Sequence, residues 1–244
     1  MINEIKNLLF PKRCVSCGTI LPAVSKLLGE ERVLCGACRG KWEAEKGSHC
    51  RRCGKRYSEC RCANHLLCSH GVKVHLKLAS YRASSDSVAN KMIHRMKRKN
   101  DTYLFDFVSE QLGRPLLRYV IEKDIDADSV VITYVPRNSA SVAKYGYDHA
   151  YLIAERIASS VSLEVSSVIE RVKRSTEQKR LSRAQRLENV KGVFELIPDT
   201  DMSDKTVFII DDVVTSGASM AQCAKVLYEA GARDVVAVSV VATK

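Results

Sequence analysis

No apolar run in this 244-residue chain approaches the roughly 18 residues that cross a bilayer as a helix, so no membrane insertion is expected. At the N-terminus Ile2, Ile5, Leu8 and Leu9 are scattered among charges, which is not a signal-peptide core, and a cytoplasmic location is expected. Aromatic residues make up only 6%, which weakens any single-strand nucleic-acid surface built on base stacking. Cysteine is almost absent from the long C-terminal part: nine of the ten cysteines precede residue 69, leaving Cys223 alone beyond them. In a reducing compartment such a local cluster predicts bound metal, not disulfides or scattered core thiols.

The chemistry that is present begins with that cluster. Cys14-x2-Cys17 and Cys35-x2-Cys38 have the two-knuckle spacing of a tetrahedral four-thiolate zinc site, with Gly18 and Gly36 at the turns. A second set opens with Cys50-x2-Cys53-Gly54. Its other pair reads as Cys60 and Cys62, one residue short of the usual spacing, with Cys68, His65 or His70 as alternatives. One or two structural zinc ions are expected. A closed four-thiolate site has no open coordination position for chemistry, so its task is to fold a segment with little core of its own. Residues 1–80 carry 15 Lys/Arg against 6 Asp/Glu, and this basic excess survives the charge of two zinc-thiolate sites. It is compatible with nucleic acid but does not by itself establish it.

From residue 75 onward the periodicity alternates between strands and helices. Strands are predicted over 76–81, 130–135, 207–210 and 235–241, with a short candidate at 165–168. Helices are predicted around 88–96 and 151–160, and another from residue 104 is expected to close at Gly113 and Pro115. The alternation implies an α/β fold with a mainly parallel sheet flanked by helices. Residues 171–191 break the pattern with eight Lys/Arg against two Glu.

The most informative stretch is 207–220. An apolar strand ends in Asp211-Asp212, and Thr215-Ser216-Gly217-Ala218-Ser219 then leads into a helix expected over 219–230. Unpaired amides and the positive end of a helix dipole receive phosphate, assisted here by three hydroxyls, with Gly217 permitting close backbone approach. The carboxylates, at the carboxyl edge of the sheet, suit sugar hydroxyls.

This stretch resembles the phosphoribosyl-pyrophosphate (PRPP) motif of type I phosphoribosyltransferases, with Ser216 and Ser219 where threonines are usual. The ordered set is wider: the paired cysteine knuckles, Ile93-His94-Arg95-Met96-Lys97, Pro136-x9-Gly146-Tyr147, Gln178-x2-Leu181-x4-Arg186-x2-Asn189-x4-Phe194, then the acidic pair. Together these resemble the ComF family along nearly the whole chain. The resemblance implies a double zinc-ribbon domain over 1–70 and a phosphoribosyltransferase-like domain over 71–244. It implies PRPP bound with Mg2+, Asp211 and Asp212 on the ribose, residues 215–219 on the 5′-phosphate, Arg137 on the pyrophosphate, and residues 171–191 as a closing segment. It further implies a role in DNA uptake during natural transformation, with single-stranded DNA and a ComFA-type helicase as partners. An active phosphoribosyltransferase of nucleobase or nucleotide metabolism is the alternative, and no residue set identifies an acceptor. The chain departs from the family at Tyr145-Gly146-Tyr147-Asp148-His149-Ala150: Tyr145 replaces an arginine and Asp148 an amide, which adds negative charge beside the expected polyanion site.

Overall fold

In this computed structural model residues 11–22, 33–81, 86–172 and 190–243 are described. The strand Thr206–Val214 (β5) lies inside a four-stranded, wholly parallel sheet of order β1-β6-β5-β2, with β1 Val74–Ser80, β2 Val130–Tyr134 and β6 Asp234–Ala242. A short antiparallel hairpin, β3 Ile169–Arg171 with β4 Phe194–Leu196, stands apart. The helices are α1 Gly36–Lys46, α2 His65–Ser69, α3 Val88–Met96, α4 Thr102–Glu122, α5 Ser139–Tyr145, α6 His149–Ser160 and α7 Ala218–Glu229.

Successive side chains of a strand point to opposite faces, and β5 is apolar on both, as a covered parallel strand must be. Phe208 and Ile210 enter one core with α3, α4 and α6; Val207 and Ile209 enter the other with α7 and the β3–β4 hairpin. The cysteine-rich segment contributes to both. Leu34 and the fully buried Trp42 belong to the first core, while Ala63, Leu67 and Val72 belong to the second. It thus borrows the body for the apolar burial that its length cannot supply alone.

Two expected elements are corrected. The helix from residue 104 does not close at Gly113 and Pro115 but continues to Glu122, because the stripe Leu104, Phe105, Val108, Leu112, Leu116 and Tyr119 stays buried throughout. Gly113 has a different purpose: a Cβ there would stand 2.8 Å from Ser160 Oγ, so it is a point of close approach between α4 and α6. The 165–168 strand candidate is reduced to one bridge from Val165 to Ile132, with β3 beginning at Ile169.

Candidate functional site

The two ribbons repeat one backbone device. Gly18 N donates to Cys14 O at 2.9 Å and Gly54 N to Cys50 O at 2.8 Å, with both glycines left-handed (φ +78° and +70°), where a Cβ would be strained. A donor sulfur of each of Cys14, Cys17, Cys35 and Cys38 lies within 4.8 Å of the other three, and the same holds for Cys50, Cys53, Cys60 and Cys62. Tetrahedral zinc with ligands at about 2.3 Å spaces its sulfurs about 3.8 Å apart. Cys17 Sγ and Cys35 Sγ stand 3.6 Å from each other. Both sets therefore fit a structural zinc ion. The short Cys60-x-Cys62 spacing closes the second set, and Cys68, His65 and His70 stay outside it.

The second locus lies at the carboxyl edge of the sheet. β2 pairs only as far as Tyr134 with Ile210, so residues from Asp211 onward extend past its end. Asp211, Val213, Val214 and residues 215–220 line a cavity of about 70 Å³ at the start of α7. Gly217, at φ +82°, takes the N-cap position. Among the described residues, the N–H groups of Thr215, Ser216, Gly217 and Ser219 have no hydrogen-bond acceptor, whereas Ala218 N donates to Ser216 Oγ at 3.3 Å. Orphan amides at the positive end of a twelve-residue helix attract an anion. The loop's carbonyls are tied back: Thr243 Oγ1 donates to Thr215 O at 2.6 Å, Asn64 Nδ2 to Ser216 O at 3.1 Å, and Ala221 N to Gly217 O at 2.8 Å.

The acidic pair is not a pair of equivalents. Asp211 is partly exposed and lines the cavity; Asp212 is buried, on the other side of the strand. Lys97 Nζ, just past α3, stands 2.9 Å from Asp212 Oδ2, and His149 Nε2, at the start of α6, stands 3.1 Å from the same oxygen. Burial opposes the charge of Asp212, but His149 and Lys97 outweigh it and hold this carboxyl well below the usual carboxylate range. Asp211 goes the other way, raised by burial and by the neighbouring Asp212 charge. For Lys97, burial is more than offset by Asp212, and its ammonium is held more firmly than usual. One donor atom from each of His149, Asp211 and Asp212 falls within 4.8 Å of the others. Lys97 and His149 already engage Asp212, which leaves Asp211 as the carboxylate that faces the cavity.

Arg137 sits where the β2 edge opens, and its Nη1 is a buried donor with no partner among the described residues. Asp148 turns both carboxylate oxygens to backbone amides. Its Oδ1 caps α6 by accepting from Ala150 N and Tyr151 N, and its Oδ2 accepts from Arg137 N at 2.9 Å, a set of hydrogen bonds that fixes the Arg137 backbone. Tyr145 lies between two cations, Arg137 at 5.7 Å and Lys144 at 5.3 Å from its ring centre. Tyr147 donates to Met96 O at 2.6 Å and so holds the end of α3 from which Lys97 projects.

Of the residues named from sequence, the structure brings Asp211 and residues 215–219 around one cavity and places Asp212 behind them. Most of the expected closing segment, 173–189, lies outside the described residues. Sequence reasoning overlooked the engagement of Lys97, for which its basic run next to a buried helix was the available signal, and it overlooked Asn64.

A family model described as the double zinc ribbon domain matches residues 5–70. The chain is 27% identical over 240 residues to competence protein ComFC of Streptococcus pneumoniae, covering 94% of this chain and 99% of that protein. The chain is a homologue of the ComF competence proteins. Competence protein F of Haemophilus influenzae shares 26% identity over 92 residues, 37% of the chain and 40% of the relative. Beyond the ComF proteins, an 87-residue stretch is 30% identical to a ribose-phosphate pyrophosphokinase of Sulfurisphaera tokodaii, covering 36% of the chain and 25% of that enzyme. Among the described residues, no helix of this ComF homologue is long and apolar enough to cross a membrane.

Proposed function

We propose that this protein binds PRPP at the carboxyl edge of its parallel sheet and acts in DNA uptake as a ComF protein. The observation that carries the reading is the set of unpartnered amides at Thr215, Ser216, Gly217 and Ser219, lining one small cavity together with the Asp211 carboxylate. A 5′-phosphate on those amides places the ribose diol toward Asp211, while Asp212 keeps Lys97 and His149 in place behind it. The unpaired Arg137 Nη1 meets the pyrophosphate. Asp211, which lines the cavity, would be the carboxylate to hold a Mg2+ ion brought by the diphosphate, and the ion would supply charge neutralisation there. The similarity to a ribose-phosphate pyrophosphokinase supports the same ligand class.

Calorimetric titration with PRPP and Mg2+ tests this: heat in the wild type, lost in Asp211→Ala, is expected. Absence of heat in the wild type overturns the reading. Pyrophosphate release across a panel of nucleobases would move the protein to the alternative, an active transferase.

A second surface favours single-stranded DNA as a partner. A cleft of about 650 Å³ between the second ribbon and α4 is lined by Arg52, Lys55, Arg61, Lys73 and Arg118 against Glu59 and Glu122. Arg61 is paired with Glu122, which leaves four cations against Glu59. Binding through phosphates weakens steeply with salt. A flat log-log salt dependence of oligonucleotide binding would remove this reading; a helicase partner is a further expectation of the same role.

A further inference from the structure

One side chain hydrogen-bonds the ribbon segment to the 215–219 loop. Asn64 stands two residues beyond the last cysteine of the second set and uses both ends of its amide. Its Oδ1 accepts from Leu67 N at 2.9 Å and so caps α2, while its Nδ2 donates to Ser216 O at 3.1 Å. A trans peptide points its C=O and N–H in opposite directions. Holding Ser216 O toward the ribbon therefore turns the Gly217 N–H away from it. The contact is close on both sides: a Cβ on Gly217 would stand 3.1 Å from Asn64 Nδ2 and 3.2 Å from Leu67 Cγ. A second tie lies further along the same segment. Tyr228 of α7 donates to Gly71 O at 3.1 Å, and a Cβ on Gly71 would stand 2.7 Å from the Tyr228 ring. Between these ties Leu67 and Val72 share a core with Ala218, Ala221, Ala224 and Leu227 of α7. The helix whose N-terminus forms the anion cradle is thus braced lengthwise by the chain leaving the second ribbon.

We infer that Asn64 is a positioning residue of the phosphate loop, a strut through which the ribbon segment sets the direction of the Ser216–Gly217 peptide. It touches no ligand. The inference rests on the PRPP reading for its effect on binding, but not for its effect on the loop itself.

Asn64→Ser separates the strut from the cap. Serine caps a helix about as well as asparagine, and it is too short to reach Ser216 O while serving Leu67 N. In the full zinc-loaded chain, Asn64→Ser is expected to raise the backbone mobility of Ser216 and Gly217, read as lower 15N order parameters, and to weaken PRPP binding about tenfold, the scale of one net hydrogen bond in a preorganised site. Zinc content and melting temperature should stay as in the wild type. Unchanged order parameters at Ser216 and Gly217 overturn the strut. Lower order parameters with unchanged PRPP affinity overturn its role in binding. If the wild type gives no heat with PRPP, the ligand reading fails separately, and the order parameters of the unliganded protein still decide for or against the strut. Asn64→Ala removes cap and strut together; a loss of zinc or melting temperature confined to Asn64→Ala marks the cap's share.

Discussion

The two ribbons share a metal chemistry and a knuckle, yet they are joined to the body in opposite ways. The first docks through the helix that grows out of its last cysteine pair. α1 lays Trp42 into the core, where the indole N–H donates to Gln111 Oε1 at 3.0 Å. It also lends the carboxylate of Glu45 to the N-terminus of α3, where Val88 N and Ala89 N donate to it at 2.8 and 3.0 Å. The second is tied to β1 and α4 by Cys62, Lys77 and Arg61, while the tail and short α2 beyond its cysteines pack on the opposite face of the sheet. Each reaches a different half of the site. The first ribbon holds α3, and α3 delivers Lys97 to Asp212; the tail of the second holds the Ser216 carbonyl. A four-thiolate site fixes only its own knuckles, and the chain leaving the last ligand decides which part of the body it organises.

Metal removal should break this comparison most severely. Structural zinc sites of this kind are worth on the order of 10 kcal/mol to the segments they fold. Trp42 is the only tryptophan and is fully buried, so it reports on one ribbon alone. Cys14→Ser with Cys38→Ser should release one zinc and red-shift the Trp42 emission, whereas Cys50→Ser with Cys53→Ser should release one zinc and leave that emission in place. Identical spectra for the two double variants would show that the ribbons are not independently anchored.

A milder break removes the link from ribbon to helix. Glu45→Ala strands two buried amides at the start of α3 and should destabilise the protein by about 2–3 kcal/mol in denaturant titration. Because α3 carries Lys97, the same variant should also weaken PRPP binding; a stability loss with full affinity would uncouple the first ribbon from the site. The smallest effect belongs to the other side. Gly217→Ala forces a Cβ into a left-handed conformation against Asn64 and Leu67, and about 1–2 kcal/mol is expected from thermal unfolding. No change would mean that the loop and the ribbon tail can separate freely.

Much of the frame was legible because it obeys short-range rules. The apolar run of β5 and the 3.6-residue spacing of α7 were readable, as were the cysteine knuckles and the turn at 215–217, but β5 runs past the expected 207–210 to Val214 because Asp211, Val213 and Val214 still pair with β6. The features that escaped depend on partners distant in the chain. Gly113 and Pro115 look like a helix stop, but a buried stripe on both sides of them and the close passage of Ser160 override the local signal. Asp148 reads as a stray charge until Arg137 N, eleven residues earlier, is seen to donate to it. Asp211 and Asp212 read as twins because sequence does not say which face of the strand meets Lys97. Asn64 is an ordinary helix cap by its spacing from Leu67, and its second hydrogen bond spans 152 positions.

Thr243 closes β6 onto the loop before α7, with its N–H on Val214 O and its hydroxyl on Thr215 O. Thr243 is therefore one hydrogen bond from the cradle, tied to the carbonyl next to the one that Asn64 holds. A fluorophore attached just beyond it would read ligand arrival at the cradle directly, with no need to label either ribbon.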